Sequence, residues 1–167
     1  MEEKKKKIKK NLYRYDFDLP TGEIWIGETG GSISDLFFGP RELTDENICE
    51  TPVIAETAKQ VREYFSRERT AFDVPMAPAG TDFQKDVWRE IYKIPYGETR
   101  YYAEIASPLK GNQQARAIGM AAGKNPIAIL IPCHRLIGKD GSLTGYAYGF
   151  EIKEYLLAVE GSLLGFV

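Results

Sequence analysis

Thr81-Asp82-Phe83-Gln84-Lys85-Asp86-Val87-Trp88-Arg89-Glu90-Ile91-Tyr92 is the stretch that divides this chain into two kinds of fold. Thr81 can offer its hydroxyl to the backbone N–H of Gln84, and the Gln84 side chain can return to the Thr81 N–H, the reciprocal capping box that starts a helix. Phe83, Val87, Trp88, Ile91 and Tyr92 then share one face, so the helix turns an apolar stripe toward a core. Pro95-Tyr96-Gly97 ends it. Immediately upstream, Asp73–Gly80 carries Pro75, Pro78 and Gly80 among small residues and reads as a linker. The boundary is placed there, giving units 1–78 and 79–167.

Before the linker, Leu12–Asp18, Ile24-Trp25-Ile26 and Ser32–Phe38 are short aromatic or β-branched runs separated by Thr21-Gly22 and Gly30-Gly31. That is the pattern of a small antiparallel sheet. Val53, Ala58, Val61 and Phe65 recur among charged residues and predict one covering helix over Pro52–Phe65. The first unit is therefore expected to be a compact α/β domain. The second is mainly helical. A short helix is expected over Tyr101–Ala106, a turn over Pro108–Asn112, and a third helix over Gln113–Ala122, capped by Asn112 and closed by Gly123. Two short helices joined by such a turn suggest helix-turn-helix, although helix pairs also serve as plain packing units. The apolar segment from Asn125-Pro126 to Ile131-Pro132 is expected to be a buried strand or extended segment, and Gly138-Lys139-Asp140-Gly141 a turn that would suit a hairpin. A last helix is expected over Phe150–Glu160, stopped by Gly161.

Composition sets the outer limits. The 167 residues are 43% apolar and 12% aromatic, enough for a real core. The longest apolar run, Ile127–Ile131, is far shorter than the roughly 20 residues of a membrane-spanning helix, so no membrane partner is expected. Lys4–Lys10, broken by Ile8, precede no signal-like apolar stretch, which points to the cytoplasm, or to the nucleus in a eukaryote. That lysine cluster reads as a solvated tail, with phosphate contact or nuclear import as sharper readings. A net charge of −2 excludes a uniformly basic nucleic-acid binder. Between Arg100 and Lys139, however, Arg100, Lys110, Arg116, Lys124, Arg135 and Lys139 face the single acid Glu104, so a local positive face for phosphates is expected there. With only Cys49, Cys133 and His134 there is no CxxC spacing and no second histidine, so no metal site is expected. Both thiols are read as reduced.

The only histidine stands beside one of the two cysteines, an adjacency that chance gives in about 2% of arrangements by position counting. Neighbouring side chains do not face each other on a strand or a helix, so a direct Cys133–His134 hydrogen bond is awkward. A bridging water solves the geometry: His134 takes a proton from the water and the water from Cys133, leaving the nucleophilic thiolate. Against this stands an inert buried cysteine beside a surface histidine. Lys153 and Glu160 lie two helical turns apart on one face of the last helix. Glu160 could hold the imidazole, completing a nucleophile, base and orienting group; otherwise it is an ordinary exposed acid.

Ile129-Leu130-Ile131-Pro132-Cys133-His134-Arg135, with Ala115-Arg116-Ala117-Ile118-Gly119 before it and Lys153–Gly161 after it, resembles the O6-alkylguanine-DNA alkyltransferase family. The likeness spans Thr81–Gly161. It implies an N-terminal α/β domain of ribonuclease-H-like type and a C-terminal winged helix-turn-helix domain that enters the minor groove of duplex DNA. It also implies direct, irreversible transfer of an alkyl group, chiefly methyl, from O6-alkylguanine, and from O4-alkylthymine, to Cys133. Arg116 would fill the gap left by a flipped nucleotide, and Tyr102 would crowd the 3′ phosphate and donate to guanine N3. Ala115, Gly119 and Ala122 would let their helix lie close to the DNA backbone, and Arg135 would join the basic DNA-facing set.

By the same likeness Asn125 is a hinge, Tyr146 packs beside the guanine, and the carbonyls of Cys133 and Leu136 accept from its exocyclic amine. Lys153 would hold the loop near Cys133. Ala147, which stands where relatives often carry serine or arginine, would act through its N–H, and bulky Tyr148 would narrow the alkyl pocket. The thioether product cannot be hydrolysed by such a relay, nor can Cys49 exchange with it. The protein would therefore act once on double-stranded DNA and need no cofactor, and it is expected to be a monomer. The rival readings are a thiol hydrolase, which would need an oxyanion hole, and a non-catalytic helix-turn-helix protein indifferent to Cys133.

Overall fold

The computed structural model describes residues 8–109, 115–143 and 145–162. Strand β1 (Asn11–Asp16) pairs antiparallel with β2 (Glu23–Thr29), which pairs antiparallel with β3 (Ser32–Phe38). A two-residue β4 (Asn47–Ile48) joins β1 in parallel, so the sheet order is β3-β2-β1-β4. The tight turns predicted these hairpins, although β1 ends two residues early, with Asp18 in the left-handed region. Strand β4 was not predicted, because two exposed residues carry no periodicity. Helix α1 (Pro52–Phe65) begins with Pro52 at its first position and Thr51 as cap, as its start signals require. Its Ile54, Ala58, Val61 and Tyr64 are buried together with Ile24 and Ile26 of β2.

Helix α2 (Asp82–Tyr92) opens with both halves of the capping box, Thr81 to Gln84 in each direction, and buries Val87, Trp88 and Ile91. Its Trp88 indole donates to the Ala121 carbonyl at 2.9 Å, which ties it to the helix pair beyond. A short β5 (Arg100–Tyr101) leads into α3 (Tyr102–Ala106), and α4 (Ala115–Gly123) packs on α3. Strand β6 (Leu136–Ile137) pairs with β5 in parallel, and α5 (Phe150–Val159) closes the unit with Glu160 as its cap residue. The expected cap Asn112, Gln113, Lys110 and tail residues Lys4–Lys7 lie outside the described residues.

Two expectations change. The segment 125–132 is not a strand. Leu36 N–H donates to the Pro126 carbonyl and Ala128 N–H to the Leu36 carbonyl, both at 2.9 Å, a single bridge on the outer edge of β3. The chain then turns, with Ile129 at φ 69°, a conformation that costs a β-branched residue about 1–3 kcal/mol. Gly138 to Gly141 does form a turn, closed by Gly141 N–H on the Gly138 carbonyl at 2.8 Å, but β6 pairs with β5 rather than with a following strand. The stretch read as a linker also grips β3, through Ile33 N–H to Pro75 and Ala77 N–H to Ile33, both at 2.8 Å. Both contacts meet the β3 edge, so the first unit's sheet braces the segment that leads to Cys133.

Candidate active site

Pro132 delivers the chain into one turn of 3-10 helix, Cys133–Arg135. Successive side chains on such a turn point about 120° apart, so the three residues reach different partners. All three are buried. Cys133 is a free thiol, while Cys49 is free and exposed. His134 is not a surface residue, for its side chain is wholly enclosed. Its Nε2 lies 2.7 Å from Glu160 Oε1, and its Nδ1 is buried with no hydrogen-bond partner among the described residues. With Nε2 donating to the carboxylate, Nδ1 carries a free lone pair and is the basic end of the ring. Glu160 is likewise no exposed acid, and it closes α5 from inside the molecule.

Arg135 corrects the sequence reading most clearly. It was expected to face DNA, yet it is 6% exposed and turned inward. Its Nε donates to Glu160 Oε2 and its Nη2 to Glu160 Oε1, both at 2.9 Å, while Nη1 reaches the Ile94 carbonyl at 2.6 Å. The guanidinium fork matches the two carboxylate oxygens, and a buried acid needs that charge, so the side chain is consumed within the protein. Tyr64 of α1 donates to the same Oε1 at 2.7 Å, and the Gly97 N–H approaches Oε2 at 3.4 Å. Neither residue was anticipated. The available signal was a hydroxyl-bearing tyrosine on the core side of α1, because such a group seeks a partner when buried.

These contacts set the charges. Burial alone would raise the Glu160 carboxyl, but hydrogen bonds and charge from His134 and Arg135 overcome it and hold the group at about 2. Burial holds His134 below its ordinary range, against the pull of Glu160. Burial pushes the Cys133 thiol up to about 12, opposed by hydrogen bonding from Asn125 and by the Lys153 charge. Cys133 therefore rests as a thiol, and a base must remove its proton. Lys153 is fully buried and drawn down to about 8 by that burial, and its Nζ donates to the Leu136 carbonyl.

Asn125 has both ends of its side chain engaged. Nδ2 donates to the Ile131 carbonyl at 2.8 Å, and Oδ1 accepts from the Ile127 N–H at 2.9 Å, binding the end of α4 to the approach to Cys133. Tyr102 begins α3 and lies against Gly119 of α4, where a Cβ would come within 3.6 Å of its ring. A Cβ on Gly145, which sits at φ 87°, would stand 3.1 Å from the Tyr102 hydroxyl. The Tyr146 hydroxyl is buried without a partner among the described residues, and burial, then the Cys133 charge, raises its pKa. Its ring meets Tyr148 edge-on at 5.7 Å, and Tyr148 meets Phe38 of β3 at 5.0 Å, forming an aromatic wall.

The outer residues stand apart from this cluster. Ala115, Arg116 and Ala147 are exposed, and Arg116 has no ion pair among the described residues. The expected basic face is thinner than composition suggested. Among the described residues of that face, Arg135 is buried and Arg100 pairs with Glu98 at 2.7 Å, leaving Arg116, Lys124 and Lys139 exposed.

Comparison with known proteins matches both halves. A family profile described as "6-O-methylguanine DNA methyltransferase, DNA binding domain" covers residues 82–162, and one described as "6-O-methylguanine DNA methyltransferase, ribonuclease-like domain" covers residues 8–78. The methylated-DNA--protein-cysteine methyltransferase of Methanosarcina barkeri is 56% identical over 153 residues, 89% of this chain and 97% of that protein. That of Bacillus subtilis is 42% identical over 151 residues, 86% of this chain and 92% of that protein. The crystal structure of Mycobacterium tuberculosis OGT in complex with DNA superposes with a TM-score of 0.83 at 39% identity, covering 91% of this chain and 93% of that one.

Proposed function

The chain belongs to the 6-O-methylguanine DNA methyltransferase family, and from that membership we propose that Cys133 is the residue on which it collects the alkyl group of a damaged guanine. It is a DNA-repair methyltransferase that binds DNA and transfers an alkyl group to a protein cysteine. The observation that carries the assignment to Cys133 is the buried thiol adjoining an imidazole whose Nε2 is bound to Glu160 and whose Nδ1 is unpartnered. His134 Nδ1 accepts a proton from a bridging water as that water takes the thiol proton, and Glu160 steadies the imidazolium that results. The sulfur pair attacks the alkyl carbon. An S–C bond forms as the C–O bond to guanine O6 breaks, the electrons pass into the base, and the Tyr102 hydroxyl donates to N3 as the base leaves. The thioether has no route back, so each molecule acts once.

A guanine O6 inside the duplex is out of reach of the thiol, so the nucleotide is rotated out through the minor groove at a cost of a few kcal/mol. Arg116, exposed on α4 beside small Ala115 and Gly119, fills the gap, and Tyr102 crowds the 3′ phosphate. The flipped base packs on Tyr146, and its exocyclic amine meets the carbonyls of Cys133 and Leu136. The Leu136 oxygen already accepts from Lys153 and keeps a second lone pair for this. Asn125 couples α4 to the thiol, and Ala147 contacts the substrate through its backbone N–H. The wall of Tyr146 and Tyr148 favours methyl over bulky groups, O4-alkylthymine being the second substrate. The division between the two domains falls at residues 78 and 79. The protein works as a monomer in the cytoplasm, and no helix among the described residues is long and apolar enough to cross a membrane.

Intact-protein mass spectrometry after mixing with a duplex bearing one O6-methylguanine tests this. The expected result is a stoichiometric gain of one methylene, located on the Cys133 peptide and absent in Cys133→Ala. Unmodified protein that still binds the duplex would overturn it.

A further inference from the structure

Glu160 Oε1 collects three donors: His134 Nε2 at 2.7 Å, Arg135 Nη2 at 2.9 Å and the Tyr64 hydroxyl at 2.7 Å. The first two belong to the turn that carries Cys133. The third comes from α1, in the other half of the chain, 96 residues away in sequence. Tyr64 is fully buried, and its hydroxyl has this carboxylate as its partner. Its ring is fixed edge-on against Phe65 at 5.5 Å and against Tyr96 at 6.1 Å. The same helix end meets α5 again where Arg67 donates to the Ala158 carbonyl at 3.3 Å, and Phe65 lies 6.0 Å from Tyr155. The hydroxyl is thus delivered by a braced surface. We propose that Tyr64 is a positioning residue of the alkyl-transfer relay, through which the N-terminal domain holds the Glu160–His134 pair in its working arrangement.

The inference rests on the role proposed above for His134, and its physical content is a sharing of one anion. A carboxylate oxygen divided among several donors is a weaker partner for each of them. With Tyr64 and Arg135 both bound to Oε1, the carboxylate keeps one geometry toward the imidazole, so Nε2 keeps its hydrogen bond and Nδ1 stays the basic end of the ring. Other groups also face the pair. Arg135 and the Gly97 N–H stand on Glu160, Tyr96 lies behind Tyr64, Arg67 lies at the end of α1, and Lys153 of α5 adds its charge near His134. Tyr64 is a neutral donor that lies outside the Cys133 turn, so its removal changes the relay with no change of net charge.

The test is Tyr64→Phe, which keeps the ring and deletes the donor, beside Thr57→Val. Thr57 is equally buried in α1, and its hydroxyl bonds only the Val53 carbonyl of its own helix, at 2.7 Å. Because His134 is the chain's only histidine, an untagged, imidazole-labelled protein gives one set of ring nitrogen signals that can be titrated directly. In Tyr64→Phe the His134 titration moves to higher pH. The rate constant for methyl transfer at saturating duplex falls roughly two- to tenfold, the range of one neutral-donor hydrogen bond, while duplex affinity is unchanged. Thr57→Val shows neither effect. The proposal is overturned if Tyr64→Phe matches the parent protein in titration and rate, or if Thr57→Val reproduces its losses, which would mean general loosening of α1. A parent protein that accepts no methyl group would instead sink the alkyl-transfer reading, and the titration would still decide whether Tyr64 tunes the pair.

Discussion

Replacing Glu160 with glutamine keeps the side chain's size and removes the charge that neutralises Arg135 and orients His134. The side chain is fully enclosed, so neither the guanidinium nor the imidazole gains water in exchange. Breaking a buried pair by losing one partner costs about 3–5 kcal/mol. An independent figure comes from the carboxyl itself. Drawn from 4.5 to about 2, it corresponds to about 3 kcal/mol of stability at neutral pH. For a chain of this length each kcal/mol moves the melting temperature by about 2–4 °C, so Glu160→Gln should melt roughly 6–20 °C lower at pH 7. The sign of the pH dependence follows from the depressed carboxyl. Its contribution is whole above the unfolded value of 4.5 and is lost as pH falls from there toward 2. His134, also held low in the fold, adds a loss that begins below 6.5. Melting followed by circular dichroism from pH 7 to pH 2 should therefore show a large gap between the two proteins at neutral pH that closes below pH 4.5. A mutant melting within about 2 °C of the parent at pH 7, or a gap that persists at pH 2, would refute the reading of Glu160 as a buried ionised anchor.

Three other outcomes are expected. His134→Asn should slow methyl transfer by roughly a hundredfold or more, as loss of a general base does, with duplex binding intact; quenched-flow mass spectrometry measures the rate, and an unchanged rate would remove His134 from the reaction. Gly145→Ala places a Cβ at φ 87° and 3.1 Å from the Tyr102 hydroxyl, so it should cost about 1 kcal/mol in chemical denaturation and slow transfer by displacing Tyr102. Arg116→Ala should slow transfer from a duplex more than from a single strand, where no stacked gap needs filling; equal slowing on both substrates would remove Arg116 from the base-flipping step.

Much of the molecule can be read from short stretches. The Thr81–Gln84 capping box, the bounds of α1 and the glycine turns of the first hairpins involve groups within four residues of each other, where chain geometry leaves few choices. The adjacency of Cys133 and His134 and the two-turn spacing of Lys153 and Glu160 marked the site for the same reason. What misled was non-local. A run of five apolar residues looks like a strand until a left-handed Ile129 turns it against the edge of β3. An arginine next to the proposed acceptor cysteine looks like a phosphate ligand until a carboxylate 25 residues on claims it.

Residue types, helical periodicity and caps thus determined the long helices and the first hairpins, and they marked Cys133 and His134 as the candidate nucleophile and base. The tertiary structure alone decided which charges are buried, that the resting thiol is protonated, and that Tyr64 of the first domain completes the hydrogen-bond shell of Glu160 in the second. The reason lies in the range of the forces involved. Backbone hydrogen bonds and side-chain periodicity act over one or two turns of chain, whereas the protonation of a buried group depends on whichever distant side chains the fold packs around it.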